Sequence, residues 1–476
     1  MSPSHPTVAI IGAGFSGTVA AIHLLRSTGT PPLRILLIDP RGEAGRGVAY
    51  GTTSAAHVLN VPAGRMSAFV GDEDDFLRFA KARDAGTVGG TFVPRRLYGD
   101  YLATRLHEAR NEGRARGHQF ELVADRVTSV ARHHDATTAL QLAGGSDRFA
   151  DLVLLALGNF SPADPAVPDS DEVFSSSRYI RDPWAPGALD RVPSDAPVLL
   201  LGTGLTMLDV ALELSGRGRT AALHAISRRG LVPLPHRPNG APPSYGHLPP
   251  DLIACEATAV AYLRAIRRHV RALEREGIDW REVVASLRPV TPRLWETLST
   301  VERRRFLRHA RAYWDVHRHR VAPDLHDRFE SLRADGALHL SAGRVRRLAL
   351  DDEGVAVTIA PRSGRAIQRL QVAAVVNCTG PESDVRHLGD PLLDTLLANG
   401  DVRADPLGLG LETDRDGRLL RADGRPDGAL WLAGPLLKGR YWEATAVPEL
   451  RVHAARAARG ILVSLAASTS RALAAA

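Results

Sequence analysis

The chain has 476 residues, 44% hydrophobic and 24% charged, with a formal net charge of +7, a length and apolar content suited to about two to four domains with sizeable cores. Its only cysteines are Cys255 and Cys378, which excludes a disulfide framework, a thiolate zinc cluster and a Cys-x-x-Cys dithiol reductase. The apolar runs are strand-sized and no signal-peptide pattern precedes the first of them, so the protein is expected in the cytoplasm, outside any membrane.

In chain order, the buried strand Val8 to Ile11 runs into Gly12-Ala13-Gly14-Phe15-Ser16-Gly17. These glycines suit a tight turn, a close backbone approach to a pyrophosphate and the packing of a helix on its strand, with the phosphates at the helix N-terminus. The next strand, Arg34 to Ile38, ends at Asp39, near the usual place for a carboxylate that grips a ribose hydroxyl and repels a 2′-phosphate. FAD or NAD is expected here. A meander of short strands follows from Arg126 to Leu142, and then a closing strand from Asp151 to Gly158.

The same plan recurs. Gly202-Thr203-Gly204-Leu205-Thr206 follows a buried strand, but Met207 stands where the third glycine would be, so this helix should sit farther from its strand. After the strand Ala221 to Ile226 come Ser227, Arg228 and Arg229. Guanidinium groups at that point can fork onto a 2′-phosphate, which favours NADPH. A second meander from Arg344 to Ile359 leads to a closing strand from Ala373 to Gly380.

Pro/Ser/Asp-rich stretches at 161–168, 182–197 and 233–250 mark boundaries. The last introduces a helical insertion, 251–334, expected to pack over a cleft. Leu298, Val301, Phe306, Ala310, Trp314 and His317 are spaced as one helix face. Between Tyr262 and Arg320 there are 15 Arg against 7 Asp plus Glu, so the rest of the chain is near neutral. These arginines scatter round helices with few interleaved aromatics and no nucleic-acid motif, and read as solvated faces or an anion-attracting rim. His317, His319 and His326 lack the i,i+4 spacing of a zinc site, and no metal is expected. The segment Gly428 to Leu432 reads as one more buried strand, stopping at Gly434 and Pro435 and returning to the first sheet. A helix is expected to begin near Thr445 as its N-cap, with Pro448 in its first turn.

With these pieces in place the chain resembles the two-dinucleotide-domain flavoproteins, and within them FAD/NAD(P)-binding proteins of largely unassigned role that neighbour the flavin N-hydroxylating and Baeyer–Villiger monooxygenases. The most specific segments are 47–51 with 59–66, 405–410 and 442–449. The resemblance implies an α/β fold with two Rossmann-like domains, one for FAD and one for NADPH, with β-meander crossovers. The FAD domain would span 1–160 and 381–476, and the NADPH domain 190–380. It also implies that Gly12, Gly14, Gly17 and Asp39 bind the ADP half of FAD, that Asn60 to Met66 lie beside the isoalloxazine, and that Gly434 and Pro435 meet the ribityl and pyrophosphate. Pro435 occupies the place of the usual acid.

The activity so implied is an NADPH-dependent monooxygenase working with O2 through a flavin hydroperoxide on a small molecule. A cationic cleft would suit an acidic or amine-bearing substrate, with Asn60, Arg65 and His317 as the candidate catalytic side chains. A reductase of another acceptor and a flavin-bound sensor without turnover stay open as alternatives.

Overall fold

The computed structural model describes residues 5–132, 137–238 and 244–475, with side chains as far as Ala467. Apolar runs with no polar alternation require cover on both faces, and the first sheet has it. Its order is Arg418–Leu420, Pro426–Leu432, Leu152–Leu155, Thr7–Ile11, Arg34–Ile38 and Gln119–Val123, all parallel except the first pair. Val8 and Ile10 point into a core shared with the helices Phe15–Leu25, Arg95–Ala115 and Val447–Ala475; Ala9 and Ile11 point into a second core on the opposite face. The predicted return of the segment after Gly428 to this sheet is what the chain does.

The second sheet runs Gln368–Val372, Gly354–Pro361, Leu338–Asp351, Leu223–Ser227, Val198–Leu201, Ala374–Asn377 and Tyr179–Ile180. The two units treat their meanders differently. In the first, Val127–Arg132, Thr138–Leu142 and Asp147–Ala150 form a separate antiparallel sheet. In the second, the long strand Leu338–Asp351 pairs parallel with Leu223–Ser227 and then antiparallel with Gly354–Pro361, so sheet and meander are continuous.

The insertion departs from its sequence reading in two ways. Pro323–Ala334 buries Leu325 and Phe329 in the core of the second sheet, which makes it that unit's crossover helix. The expected single face from Leu298 to His317 is broken as well. Thr300–Arg305 and Arg311–Arg318 are separated by a π-helical turn, Phe306–Ala310; one extra residue in a turn rotates the rest of the helix by about 100°. Val301, before the turn, is 55% exposed, while Leu298, Phe306 and Trp314 pack with Trp295 and Trp442.

The last helix starts at Val447, so Thr445 is not its N-cap. The first-turn amides of Glu449 and Leu450 donate to the Ala446 carbonyl at 3.1 and 3.0 Å, and Thr445 is exposed. The reason lies just upstream. Glu443 and Ala444 are buried, Glu443 by a two-pronged hydrogen bond from Arg318 at 3.0 Å on each oxygen, and the chain completes its bend after them before it can wind.

The two units are joined by buried polar contacts. Arg95, in the first, donates through Nη2 to Asp209 Oδ2 at 2.6 Å and through Nε to the Val58 carbonyl at 3.1 Å. His57 Nε2 lies 2.9 Å from Glu213 Oε2. Both acids sit on Leu205–Gly216, the helix that opens from the second glycine turn. Among the described residues no helix is long and apolar enough to cross a membrane, and no three His, Cys, Asp or Glu side chains are placed to hold a metal.

Candidate active site

The two glycine turns are built by matching hydrogen bonds. Gly12 N donates to the Ile38 carbonyl at 2.8 Å and Ala156 N to the Ile11 carbonyl at 2.8 Å; Gly202 N donates to the Ile226 carbonyl and Cys378 N to the Leu201 carbonyl, again at 2.8 Å. Gly12 has φ +103° and Gly202 φ +111°. A Cβ on Gly12 would collide with the Ala156 carbonyl, and one on Gly202 with that of Cys378. Only glycine fits where the strand end passes under the closing strand.

Gly14 and Gly204 occupy the N-cap positions of Phe15–Leu25 and Leu205–Gly216, and no side chain caps either helix. The N-terminal amides, including those of Ser16 and Thr206, are thus left to a ligand. Phe15 is buried against Tyr98 at 6.2 Å. A Cβ on Gly17 would enter the Gly12 carbonyl, whereas Met207, in the matching place, is fully buried.

The acids differ too. Asp39 Oδ2 accepts from Ala13 N at 2.9 Å, and Oδ1 accepts from Arg41 N at 3.0 Å and Arg41 Nε at 3.1 Å. Burial raises its carboxyl, but Arg41 and the two amides outweigh that and hold it below the usual carboxylate range. The matching place in the second unit is Ser227, whose Oγ lies 2.8 Å from Thr203 Oγ1 and accepts from Gly230 N at 3.0 Å. Arg228 beside it is exposed. Arg229 is occupied: Nη2 donates to the Arg308 and His309 carbonyls at 3.3 and 3.2 Å, carbonyls of the π-turn, and its guanidinium lies over Tyr313. Of the two predicted arginines, Arg228 is the one free to meet a phosphate.

Gly434, at φ +111°, turns beside Ser16, and Pro435 starts a short 3-10 helix. The segment from Asn60 to Met66 is tied to the loop before the Arg95 helix by Leu59 N to the Val93 carbonyl and Ala63 N to the Thr91 carbonyl, at 2.9 and 2.8 Å. Met66 is buried in the core. Asn60 and Arg65 line a partly open cavity of about 80 Å³, walled by the second unit at His236, by the insertion, and by Ala446 before the last helix. The Asn60 carbonyl accepts from His236 Nε2 at 3.0 Å. That bond places the His236 proton on Nε2 and leaves Nδ1 as a lone-pair acceptor. Burial, with Arg320 nearby, pushes His236 down to about 4, and burial holds His319, also on the wall, at about 4. Both imidazoles are neutral near pH 7.

His317 does not reach this cavity. Its Nδ1 is 2.7 Å from the Tyr313 carbonyl and its ring sits edge-on to Trp280 at 5.0 Å. Arg318, His319 and Arg320, which follow it, line the cavity instead. The sequence reading missed His236 and Tyr245, which lie in or beside a Pro-rich stretch with no local signal, and could not tell which arginines of the insertion would converge.

Residues 9–160 match the model of the FAD-NAD(P)-binding family. No curated protein matches the sequence. Among solved structures, the chain is similar to the ornithine hydroxylase of Pseudomonas aeruginosa, with 17% identity over 97% of this chain and 99% of that one and a TM-score of 0.65. It is similar also to the L-lysine 6-monooxygenase of Pseudomonas syringae (18%, 97% and 100%, 0.65) and to an ornithine N-hydroxylase of Kutzneria sp. 744 with reduced FAD, NADP+ and L-ornithine (16%, 96% and 99%, 0.61). At such identities the likeness is one of fold, and it extends over nearly the whole chain.

Proposed function

We propose that this protein is an FAD-dependent, NADPH-using oxidoreductase that acts as a monooxygenase, with O2, on a small amine-bearing substrate. The observation that carries the reading is the pair of uncapped glycine turns built by matching hydrogen bonds, in two units joined through Arg95 and Asp209, with a cavity between the segment Asn60 to Arg65 and the insertion. The resemblance in fold to enzymes named as ornithine and lysine monooxygenases supports the choice of substrate. The cytoplasm is the expected location, where an accessible thiol such as Cys255 stays reduced.

The residues fit both nucleotides. Gly12, Gly14, Ser16 and Gly17 would cradle the FAD pyrophosphate, Asp39 would take a ribose hydroxyl, and Gly434 with Pro435 would close over the ribityl side. Gly202, Gly204, Leu205 and Thr206 would hold the NADPH pyrophosphate, with Arg228 on the 2′-phosphate. Bound FAD would supply acceptance of hydride from NADPH and the activation of oxygen.

The chain's own part is to hold the substrate and set its protonation. An amine attacks only when unprotonated, and an ammonium group placed among the arginines of this cavity loses its proton more readily through like-charge repulsion. Neutral His236, with Nδ1 as acceptor, can hold that amine without restoring the charge. The insertion covers part of the cavity and so limits the access of water to it.

The test is anaerobic stopped-flow reduction of the FAD-loaded protein by NADPH and by NADH, followed by aerobic turnover with candidate amines. Preferential NADPH reduction with hydroxylated amine formed in step with NADPH consumed is the expected result. Fast reduction with all NADPH diverted to hydrogen peroxide or a quinone, whatever amine is added, would sink the monooxygenase reading, and no reduction at all would sink the oxidoreductase reading.

A further inference from the structure

Six arginines line the cavity, namely Arg65, Arg237, Arg281, Arg288, Arg318 and Arg320, and no aspartate or glutamate does. Four of them are balanced from behind. Arg237 pairs with Glu282, Arg281 Nη1 donates to Asp279 Oδ2 at 3.0 Å, Arg288 Nη2 donates to Glu449 Oε2 at 2.7 Å, and Arg318 forks onto Glu443. Two are not. Among the described residues no carboxylate lies within ion-pair distance of Arg65 or Arg320.

Arg320 is the telling one. It is only 8% exposed, its Nε has no hydrogen-bond partner, and its guanidinium stands 6.0 Å from the ring centroid of Trp280. Burial and the neighbouring charges of Arg318 and Arg281 bring its pKa down to about 10. A buried, unpaired cation crowded by like charges is unfavourable by itself, and an anion in the cavity relieves it. Arg65 lies over a different ring, Tyr245, at 4.7 Å. The two guanidiniums are therefore anchored separately, one on the flavin-side segment and one at the end of the insertion. Two planar forks on separate supports suit two carboxylates rather than a single tetrahedral anion.

We infer that Arg65 and Arg320 form a paired anion subsite, and that the substrate class of this cavity is a small dicarboxylate, an amine-bearing one if the proposed activity holds. The inference rests on reading the cavity as the substrate chamber, but its test does not rest on turnover. FAD-loaded protein is titrated calorimetrically with succinate, acetate, inorganic phosphate and L-ornithine. Succinate is expected to bind more tightly than the other three, and Arg320→Met and Arg65→Met are each expected to weaken it about tenfold or more, the scale of losing one charge-assisted contact. Arg320→Met should keep or raise Tm, since it removes an unpaired buried charge.

Succinate binding unchanged in both variants would overturn the inference, and so would phosphate binding more tightly than succinate. A drop in Tm for Arg320→Met with succinate affinity intact would make Arg320 a structural residue and overturn it as well. The two readings separate cleanly. Arginine-dependent succinate binding in a protein whose flavin NADPH does not reduce leaves the subsite standing and removes the proposed activity, whereas normal reduction without succinate binding does the reverse.

Discussion

The two glycine turns share the backbone hydrogen bonds at Gly12 and Gly202, and the differences between them that matter most are Gly17 against Met207 and Asp39 against Ser227. The shared part is what any dinucleotide pyrophosphate requires: a left-handed glycine under a closing strand and a helix N-terminus free of side-chain caps. The differing part is where one nucleotide can be told from another. Asp39 presents a buried carboxylate held ionised by Arg41, which repels a 2′-phosphate. Ser227 presents a hydroxyl with exposed Arg228 next to it. On the proposed reading, phosphate binding would rest on the backbone, and nucleotide choice on Asp39 in the first unit and on Ser227 with Arg228 in the second.

The hardest way to break the comparison is at the glycines. Gly202→Ala places a methyl group against the Cys378 carbonyl at a positive φ; protein purified with this change is expected to keep its flavin absorbance and lose NADPH reduction altogether. Loss of flavin as well would mean that the two turns do not serve separate nucleotides. Ser227→Asp sharpens the comparison by making the second turn copy the first, and should swing the NADPH-to-NADH preference by about 100-fold toward NADH, read as the ratio of reduction rates at low nucleotide concentration. Arg228→Ala should cost about tenfold in NADPH affinity with little change for NADH, and equal losses for both would show that Arg228 does not read the 2′-phosphate. Arg229→Ala should affect NADPH less than Arg228→Ala does, because its guanidinium already serves the π-turn carbonyls.

Acid provides the gentlest probe, and it acts on the first unit through His23 and His453 and on the cavity through His236 and His319. Burial pushes all four down to about 4. The unfolded chain titrates them near 6.5, so below that pH it binds more protons than the folded chain does. Stability should therefore fall as pH drops from about 6.5 to about 4 and level off beneath, as a urea-denaturation midpoint measured across that range will show.

How much of this is legible in the sequence depends on how local the cause is. The turns, the closing strands and the return of the segment after Gly428 can be read because a glycine or an unbroken apolar run states its own requirement within a few residues. Asp39 can be read from its distance past Gly14. Ser227 stands 23 residues past Gly204, against 25 for Asp39 past Gly14, but the arginines after it carry the louder signal. The N-cap at Thr445 fails because the buried pair Glu443 and Arg318, 125 residues apart in sequence, decides where that helix can begin. His317 fails because no residue pattern announces a π-turn. The excess of arginine in the insertion is plain, yet that Arg320 is left without a carboxylate while Arg288 and Arg318 have theirs is set by Glu443 and Glu449, which arrive from the far end of the chain.

Arg95 reaches from the first unit onto the helix that opens from the second turn. Swinging the units apart would break the Arg95–Asp209 and His57–Glu213 contacts together. If the two turns hold the two nucleotides as proposed, these contacts would set the gap between donor and acceptor before either arrives, like the spacing of soldered contacts rather than the throw of a switch. A slow phase in flavin reduction, if one is seen, should be sought in the arrival of the nucleotide and not in a rotation of the domain that receives it.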